Sequence, residues 1–404
     1  MTTRQQMGRI ARLLGPAFVA AVAYVDPGNF AANFGAGAKY GYLLLWVLVV
    51  ANLMAAIAQY LSAKVGIVTG KSLPEIIAEY LPAWARRAYW AQAEVVAVAT
   101  DIAEVVGGAV ALHLLFGLSL PLGGLLIGVV SMLLLVVYSR KGQYYFERII
   151  VILLLLIPIG FFMGLMQHPP ALDGVFAGLV PRFAGSETLL LASAMIGATI
   201  MPHVVYLHSA LARDRHGKVK RTELRQYLRA TKIDVVMAMA IAGTVNVAML
   251  VLTASTLNGD VATFEGIFSA LSDKLGALAG ILFATGLLIS GLASTAVGSQ
   301  AGSVIMHDLI HVRFPLWARR LLTMIPAILL LLLGIDPLFL LIVSQVALSI
   351  GVPFALIPLA VITSKRSIMG SAVNTRAVTA MMYVIASSVS LLNLVLLCMT
   401  IFSA

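Results

Sequence analysis

Apolar runs long enough to cross a bilayer return again and again along this chain, and that recurrence restricts its fold more than any single motif. A helix needs about 20 apolar residues to traverse the hydrocarbon core. Reading such runs against polar breaks predicts eleven spans, at 13–35, 43–65, 88–117, 119–138, 147–167, 188–212, 231–256, 276–305, 318–335, 337–363 and 376–402. Gly334-Ile335-Asp336-Pro337 is a short turn signal between the ninth and tenth. Only 11% of the 404 residues are charged, against about 25% in an ordinary soluble domain. The predicted class is an all-α integral membrane protein forming a single transmembrane domain over 1–404.

The net charge of +10 would suit a nucleic-acid binder, but its placement argues otherwise. With the N-terminus in the cytoplasm, 24 of the 27 basic residues fall in inside segments, as expected of loops that stay cytoplasmic. They include Arg4, Arg9 and Arg12, then Lys64, Lys71, Arg86 and Arg87, then Arg140, Lys141 and Arg148. The run from Arg213 to Lys232 is read as a solvated inside loop with at most a helical turn or two, though anionic lipid is a second reading for it. Arg313, Arg319, Arg320, Lys365, Arg366 and Arg376 complete the set, leaving Lys39, Arg182 and Lys274 outside. A wrong span count would scramble this asymmetry. The expected location is the cell (inner) membrane, multi-pass, with the N-terminus cytoplasmic and the C-terminus extracytoplasmic. Met1–Arg12 is polar and basic, and the run after it is too long for a cleavable signal. The lone Cys398 excludes a disulfide framework and a cysteine zinc site.

Two spans break the rules for a helix in lipid. The first carries Asp26-Pro27-Gly28-Asn29 in mid-run: a carboxylate, a proline, a glycine and an amide. Backbone is freed at such depth only where it lines a cavity or meets a ligand, and a carboxylate there costs at least ~2.5 kcal/mol unless compensated. The sixth span holds Met201-Pro202-His203. A simple proline kink explains this second break as well as a site does, but it does not explain the first. Interrupted helices at matching positions of two halves point to a midplane binding site. Asp26 offers carboxylate oxygens and Asn29 an amide oxygen. Pro202 lacks the N–H that would engage the Ala198 carbonyl, so that carbonyl is free to face a cation. Met201 either fills core space or adds a thioether that favours softer divalent ions over Ca2+ and Mg2+.

Glu94, Asp101 and Glu104 lie at spacings of seven and three in the third span, near one helix face. Intramembrane carboxylates on one stripe mark an ion or proton route, or a static ion-pair network. Candidate partners are Arg319, Arg320, His203 and His208. Gln345 is a buried amide that suits either helix–helix bonding or ligand contact. His113, His307 and His311 read as surface or interfacial positions.

Other classes fit less well. Asp26 would repel the carboxylate of an amino-acid substrate. No H-E-x-x-H motif occurs, and His203 and His208 do not share a helix face, which argues against an intramembrane metalloenzyme. Gly66–Ser72 imitates a P-loop but has one residue too few between its glycines and follows a span, not a strand. Composition does not separate a channel from alternating access.

The two broken segments, Asp26-Pro27-Gly28-Asn29 and Met201-Pro202-His203, together resemble the signature motifs of the Nramp metal-ion transporters. Gly35–Trp46, Thr100–Gly107, Gly197–Ala210 and Ser344–Val346 are similar to that family too, in order along the chain. The resemblance implies a LeuT-type fold of two inverted five-helix repeats, roughly 10–167 and 186–363, with broken helices 1 and 6 and an added helix at 376–402. It implies proton-coupled import of Mn2+ or Fe2+ by alternating access, with the ions as substrate, no cofactor, a monomer sufficient, and lipid but no nucleic acid as partner. It further implies metal binding by Asp26, Asn29, Ala198 through its carbonyl, Met201 and Gln345. Glu94, Asp101, Glu104, His203, Arg319 and Arg320 would form the proton route, with His208 as an outer gate.

Overall fold

The computed structural model describes residues 15–402 except 142, 218, 221, 258–262 and 313. Arg4, Arg9, Arg12, Lys218, Arg221 and Arg313, used above to orient the chain, lie outside the described residues.

Every predicted span is helical. The first is split into α1 (Pro16–Ala23) and α2 (Pro27–Tyr40), followed by α3 (Leu45–Thr69). A short amphipathic helix, α4 (Leu73–Tyr80), leads to α5 (Ala83–Phe116), α6 (Leu120–Lys141), α7 (Gln143–Leu156) and α8 (Pro158–Gln167). After α9 (Leu172–Gly178) the sixth span is again split, into α10 (Ser186–Ile200) and α11 (Pro202–His216). Then come α12 (Leu224–Thr256), α13 (Phe264–Leu275), α14 (Ala277–Ile310), α15 (Leu316–Leu332), α16 (Pro337–Ser364), α17 (Arg366–Met369) with a 3-10 turn at Gly370–Ala372, and α18 (Arg376–Phe402). Counting Ser186–His216 as one, seven are long and apolar enough to cross a membrane unaided among the described residues. The fifth span is divided at Pro158, which cannot continue the hydrogen-bond ladder of α7.

One expectation needs correction. The segment 213–232 is largely helix, because α11 runs on to His216 and α12 already begins at Leu224. Leu224-Arg225-Gln226-Tyr227-Leu228-Arg229 is made mostly of good helix formers, so its polarity marks an exposed helix end instead of a loop. The inner connection at 70–82 also contains α4, where Ser72 and Glu75 form a reciprocal capping box. The Gly66–Ser72 run is thus a helix end followed by a helix cap.

α5 and α14 pack along each other through most of their lengths, and α16 closes against α5 and α10. At Gly302 the missing side chain gives room to the guanidinium of Arg319, which a Cβ would overlap. The α4 end is pinned by polar contacts: Ser72 Oγ donates to Asp308 Oδ2 (2.6 Å), and Leu73 N donates to Ser209 Oγ (2.8 Å). Arg213 completes that junction with Glu75 (2.7 Å) and Asp308 (3.2 Å).

Candidate metal site

At the first break the chain leaves α1 through a turn at Tyr24 and Val25 and restarts at Pro27. Asp26, extended at φ −80°, caps α2 by accepting from Asn29 N at 2.7 Å. Two carbonyls left over from α1 are satisfied from neighbouring helices. Asn246 Nδ2 of α12 donates to Tyr24 O (2.8 Å), and Ser290 Oγ of α14 donates to Val25 O (2.5 Å). The start of α1 is held likewise, with Asp234 of α12 accepting from Gly15 N (3.1 Å) and Ala17 N (3.0 Å). A break at this depth needs such partners, because unpaired buried backbone is costly.

The second break is sharper. Met201 sits at φ +26°, ψ 99°, outside the regions favoured by any residue that carries a Cβ. Pro202 starts α11 and provides no N–H. The Ala198 carbonyl instead receives Asn29 Nδ2 at 3.0 Å. That same nitrogen donates to Asp26 Oδ1 at 2.8 Å. One amide group therefore joins the carboxylate of the first break to the carbonyl of the second. Gln345 of α16 approaches from a third direction, its Nε2 lying 3.5 Å from Asp26 Oδ2.

Asp26, Asn29, Ala198, Met201 and Gln345 are all fully buried. Asn29 Oδ1 and Gln345 Oε1 have no hydrogen-bond partner, although both are sealed from solvent. Buried amide oxygens are rarely left so. Turning either amide end over would present oxygen where nitrogen now stands, and the choice between these orientations follows the surrounding network. Asp26, Asn29, the Ala198 carbonyl and Gln345 thus form one hydrogen-bonded cluster, and Met201 lies in the second break beside it. Among the described residues no cluster of three His, Cys, Asp or Glu side chains is placed to hold a metal. The donor set thus differs from a resident zinc centre, carrying one negative charge and mixed hard and soft atoms.

The site is enclosed on both sides. Beyond α2, Phe30, Phe34, Phe161 and Phe283 form an aromatic cluster, with Phe34 and Phe283 centroids 5.0 Å apart. On the α1 side, Gln59 of α3 donates from Nε2 to the Tyr24 hydroxyl, and its Oε1 accepts from His208 Nδ1, 2.7 Å away. His208, read from the resemblance as an outer gate, lies on the second half of the broken sixth span. It is fully buried on α11, on the stretch leading from the break to Arg213, so charge-based orientation puts it on the inner side of the site.

The carboxylates of α5 are paired with α15. Arg319 Nη2 donates to Glu94 Oε1 at 2.7 Å, and Arg320 Nη1 donates to Asp101 Oδ1 at 2.6 Å. Arg320 also reaches Ser131 of α6 (3.1 Å). These two arginines are 2% and 0% exposed, so they belong to the packed helix interior and not to a loop. Glu104 turns toward α14, next to Gly298, and its Oε2 has no hydrogen-bond partner. His203 lies 3.5 Å from Thr100 Oγ1 between the metal site and this ladder, with Nε2 unpartnered. Glu94 and Asp101 are thereby tied to Arg319 and Arg320, Glu104 is bonded to Asp101, and His203 lies within electrostatic reach of Asp101 and Arg319. His113 is tied to Leu118 O at its helix end (2.8 Å), away from the site.

Sequence reasoning missed Asn246, Ser290 and Asp234. Each is a polar residue inside a run of apolar ones, a signal the chain does contain, but its partner is remote in sequence. Asn33 is of the same kind, donating to Asn246 Oδ1 at 3.0 Å.

Split helices meeting over a buried polar point, in an all-helical multi-span bundle, define a secondary transporter of the LeuT-type fold. The solved structure of Mhp1, a nucleobase-cation-symport-1 family transporter, shares that fold at a TM-score of 0.60 and 15% identity, over 95% of this chain and 91% of that one. The family described as natural resistance-associated macrophage protein-like, Nramp, matches residues 17–399, and the chain belongs to it. The chain is similar to the divalent metal cation transporter MntH of Mycobacterium tuberculosis, 54% identical over 402 residues, spanning 99% of this chain and 94% of that protein. It is also similar to MntH of Deinococcus radiodurans, 46% identical, over 95% of this chain and 89% of the relative. A crystal structure of the Eremococcus coleocola manganese transporter superposes with a TM-score of 0.88 at 31% identity, covering 98% of this chain and 87% of that one.

Proposed function

We propose that this protein imports divalent transition-metal ions, Mn2+ and Fe2+ among them, by alternating access coupled to protons. The observation that carries the reading is the solvent-sealed cluster of Asp26, Asn29, the Ala198 carbonyl and Gln345 where two helices are broken, with Met201 in the second break. Its support from relatives is the metal-transport naming of MntH proteins that match nearly the whole chain.

The chemistry follows from the donors. An entering cation replaces the Asn29 amide hydrogens between Asp26 Oδ1 and the Ala198 carbonyl. Both oxygens then face the ion, and rotation of the Asn29 and Gln345 amides turns their oxygens toward it. Asp26 supplies charge, while the Met201 thioether penalises hard ions that gain little from sulfur. Because the ion meets donors from both breaks, side chains of the first and a carbonyl of the second, its arrival and departure bias how α1–α2 and α10–α11 sit against the bundle, which is the differential contact that alternating access needs. Glu94, Asp101, His203, Arg319 and Arg320 form the proton route, with Glu104 joining it beside the metal site. No cofactor other than the transported ion and its proton is required. The two repeats span roughly 10–167 and 186–363, with α18 appended, in a cell membrane with the N-terminus cytoplasmic.

The test is Mn2+ uptake into proteoliposomes at several external pH values, with a dye reporting lumenal pH and Ca2+ as control. Expected is saturable Mn2+ entry that excludes Ca2+ and acidifies the lumen. Flux without saturation would favour a channel, and no Mn2+ flux under any gradient would sink the metal reading.

A further inference from the structure

The exposed start of α12 plays no part in metal transport as described above. Arg225, Arg229 and Lys232 stand there at spacings of four and three, on one helix face and within about 10 Å of one another along the axis. All three are exposed, and none makes a hydrogen bond or ion pair with a described residue. They line a cavity of about 870 Å³, walled on its other sides by Tyr60 of α3 and by Ser371 and Ala372 of the 3-10 turn. Among the described residues no carboxylate lines it.

This arrangement is electrostatically unfavourable by itself. Arg225, in the first turn of α12, opposes the helix dipole, and three like charges on one face repel. An anion in the cavity removes both costs at once. The surroundings say which kind of anion. One turn beyond Lys232 on the same face, Val236 is 55% exposed, and the neighbouring Met237 is also exposed. Apolar surface therefore continues directly from the cations along the membrane-spanning part of α12. A soluble anion has no use for that surface, whereas acyl chains do.

The geometry points to this cavity as the binding site for the phosphate-bearing headgroup of an anionic phospholipid, with its acyl chains lying over Val236. Arg225, Arg229 and Lys232 hold the phosphate, and Tyr60 and Ser371 offer hydroxyls at the cavity wall. The bound lipid joins the start of α12 to α3 and to the segment connecting α16 with α18. The assignment is independent of which ion the protein carries.

The experiment uses the full chain in detergent, with native mass spectrometry and thermal unfolding in the presence of phosphatidylglycerol, phosphatidylcholine or inorganic phosphate. Phosphatidylglycerol is expected to remain bound and to raise the unfolding temperature, and phosphatidylcholine is not. The triple variant Arg225→Gln, Arg229→Gln, Lys232→Gln is expected to weaken phosphatidylglycerol binding about a hundredfold, with Mn2+ binding unchanged. An equal loss of charge elsewhere, Arg87→Gln, Arg182→Gln, Lys365→Gln, should leave lipid binding intact. Should the triple variant aggregate, Arg229→Gln alone carries the test, with a loss of about fivefold. Equal effects of the two lipids, equal losses in the two triple variants, or full stabilisation by inorganic phosphate alone would each overturn the lipid assignment.

Discussion

The two broken helices solve the same problem in opposite ways. At the first break the chain stays in ordinary backbone space, and side chains do the repair: Asp26 caps α2 from within, while Asn246 and Ser290 reach in from α12 and α14. At the second break no side chain caps the new helix, and Met201 carries a left-handed φ of +26°. The Ala198 carbonyl that Pro202 orphans is satisfied only by Asn29, a residue of the first break. The first is thus supported by the surrounding bundle, and the second is supported by the first. A perturbation at Asp26 or Asn29 should be felt at both, whereas one at Met201 should stay local.

That asymmetry can be broken most severely at Asp26. Asp26→Ala removes the only charge at the site and the cap of α2, and Mn2+ uptake and binding should fall to background in proteoliposome and calorimetric assays. Near-normal uptake would refute the site. Next in size is Asn246→Leu, which leaves the Tyr24 carbonyl buried without a donor. A destabilisation of about 1–3 kcal/mol is expected, read as a lower unfolding temperature, and Mn2+ binding should weaken with it. An unchanged melting curve would mean that the first break does not depend on α12.

Smaller effects separate the second break. Pro202→Ala restores an N–H opposite the Ala198 carbonyl, so Mn2+ affinity should drop by about tenfold, the equivalent of one hydrogen bond gained by the ion-free state. Met201→Ala should retain Mn2+ transport, weakened by less than that, while admitting Ca2+ or Mg2+. Continued exclusion of Ca2+ in this variant would count against a thioether filter. In the charged ladder, Arg320→Gln and Asp101→Asn together should be less destabilising than Arg320→Gln alone, because the single change strands a buried carboxylate. If the double variant still acidifies the lumen during Mn2+ uptake, the pair is structural and lies off the proton route.

Much of this was legible from residue order. Apolar runs mark the helices, and the four consecutive helix-unfriendly residues at Asp26–Asn29 mark where one must fail. The third-span carboxylates and the two arginines could be matched because membrane burial forces charges to find one another, and few were available. What could not be read was the direction of side chains across the bundle. The spacing of Glu94, Asp101 and Glu104 gives no sign that Arg319 and Arg320 of α15 meet the first two, while Glu104, bonded to Asp101, also lies against Gly298 of α14. The roles of Asn246 and Ser290 depend on contacts more than 200 residues apart in sequence. The bond between His208 and Gln59 of α3, 149 residues apart in sequence, is of the same kind. The 213–232 segment was misjudged because polarity was taken for irregularity, although a helix end that leaves the bilayer is polar too.

The Asn29 amide, which now ties Asp26 to the Ala198 carbonyl, has a consequence for how quickly the cargo leaves. A cage that stood open without its ion would bind more tightly and let go more slowly. Here every departing ion is replaced by two hydrogen bonds that form in the space it leaves, each worth on the order of 1 kcal/mol or somewhat more beside a carboxylate. Taken together they lower affinity by roughly one to two orders of magnitude. For a carrier this is an advantage in turnover: the resting state competes with its own cargo, and discharge does not have to wait for a bare charge to be rehydrated.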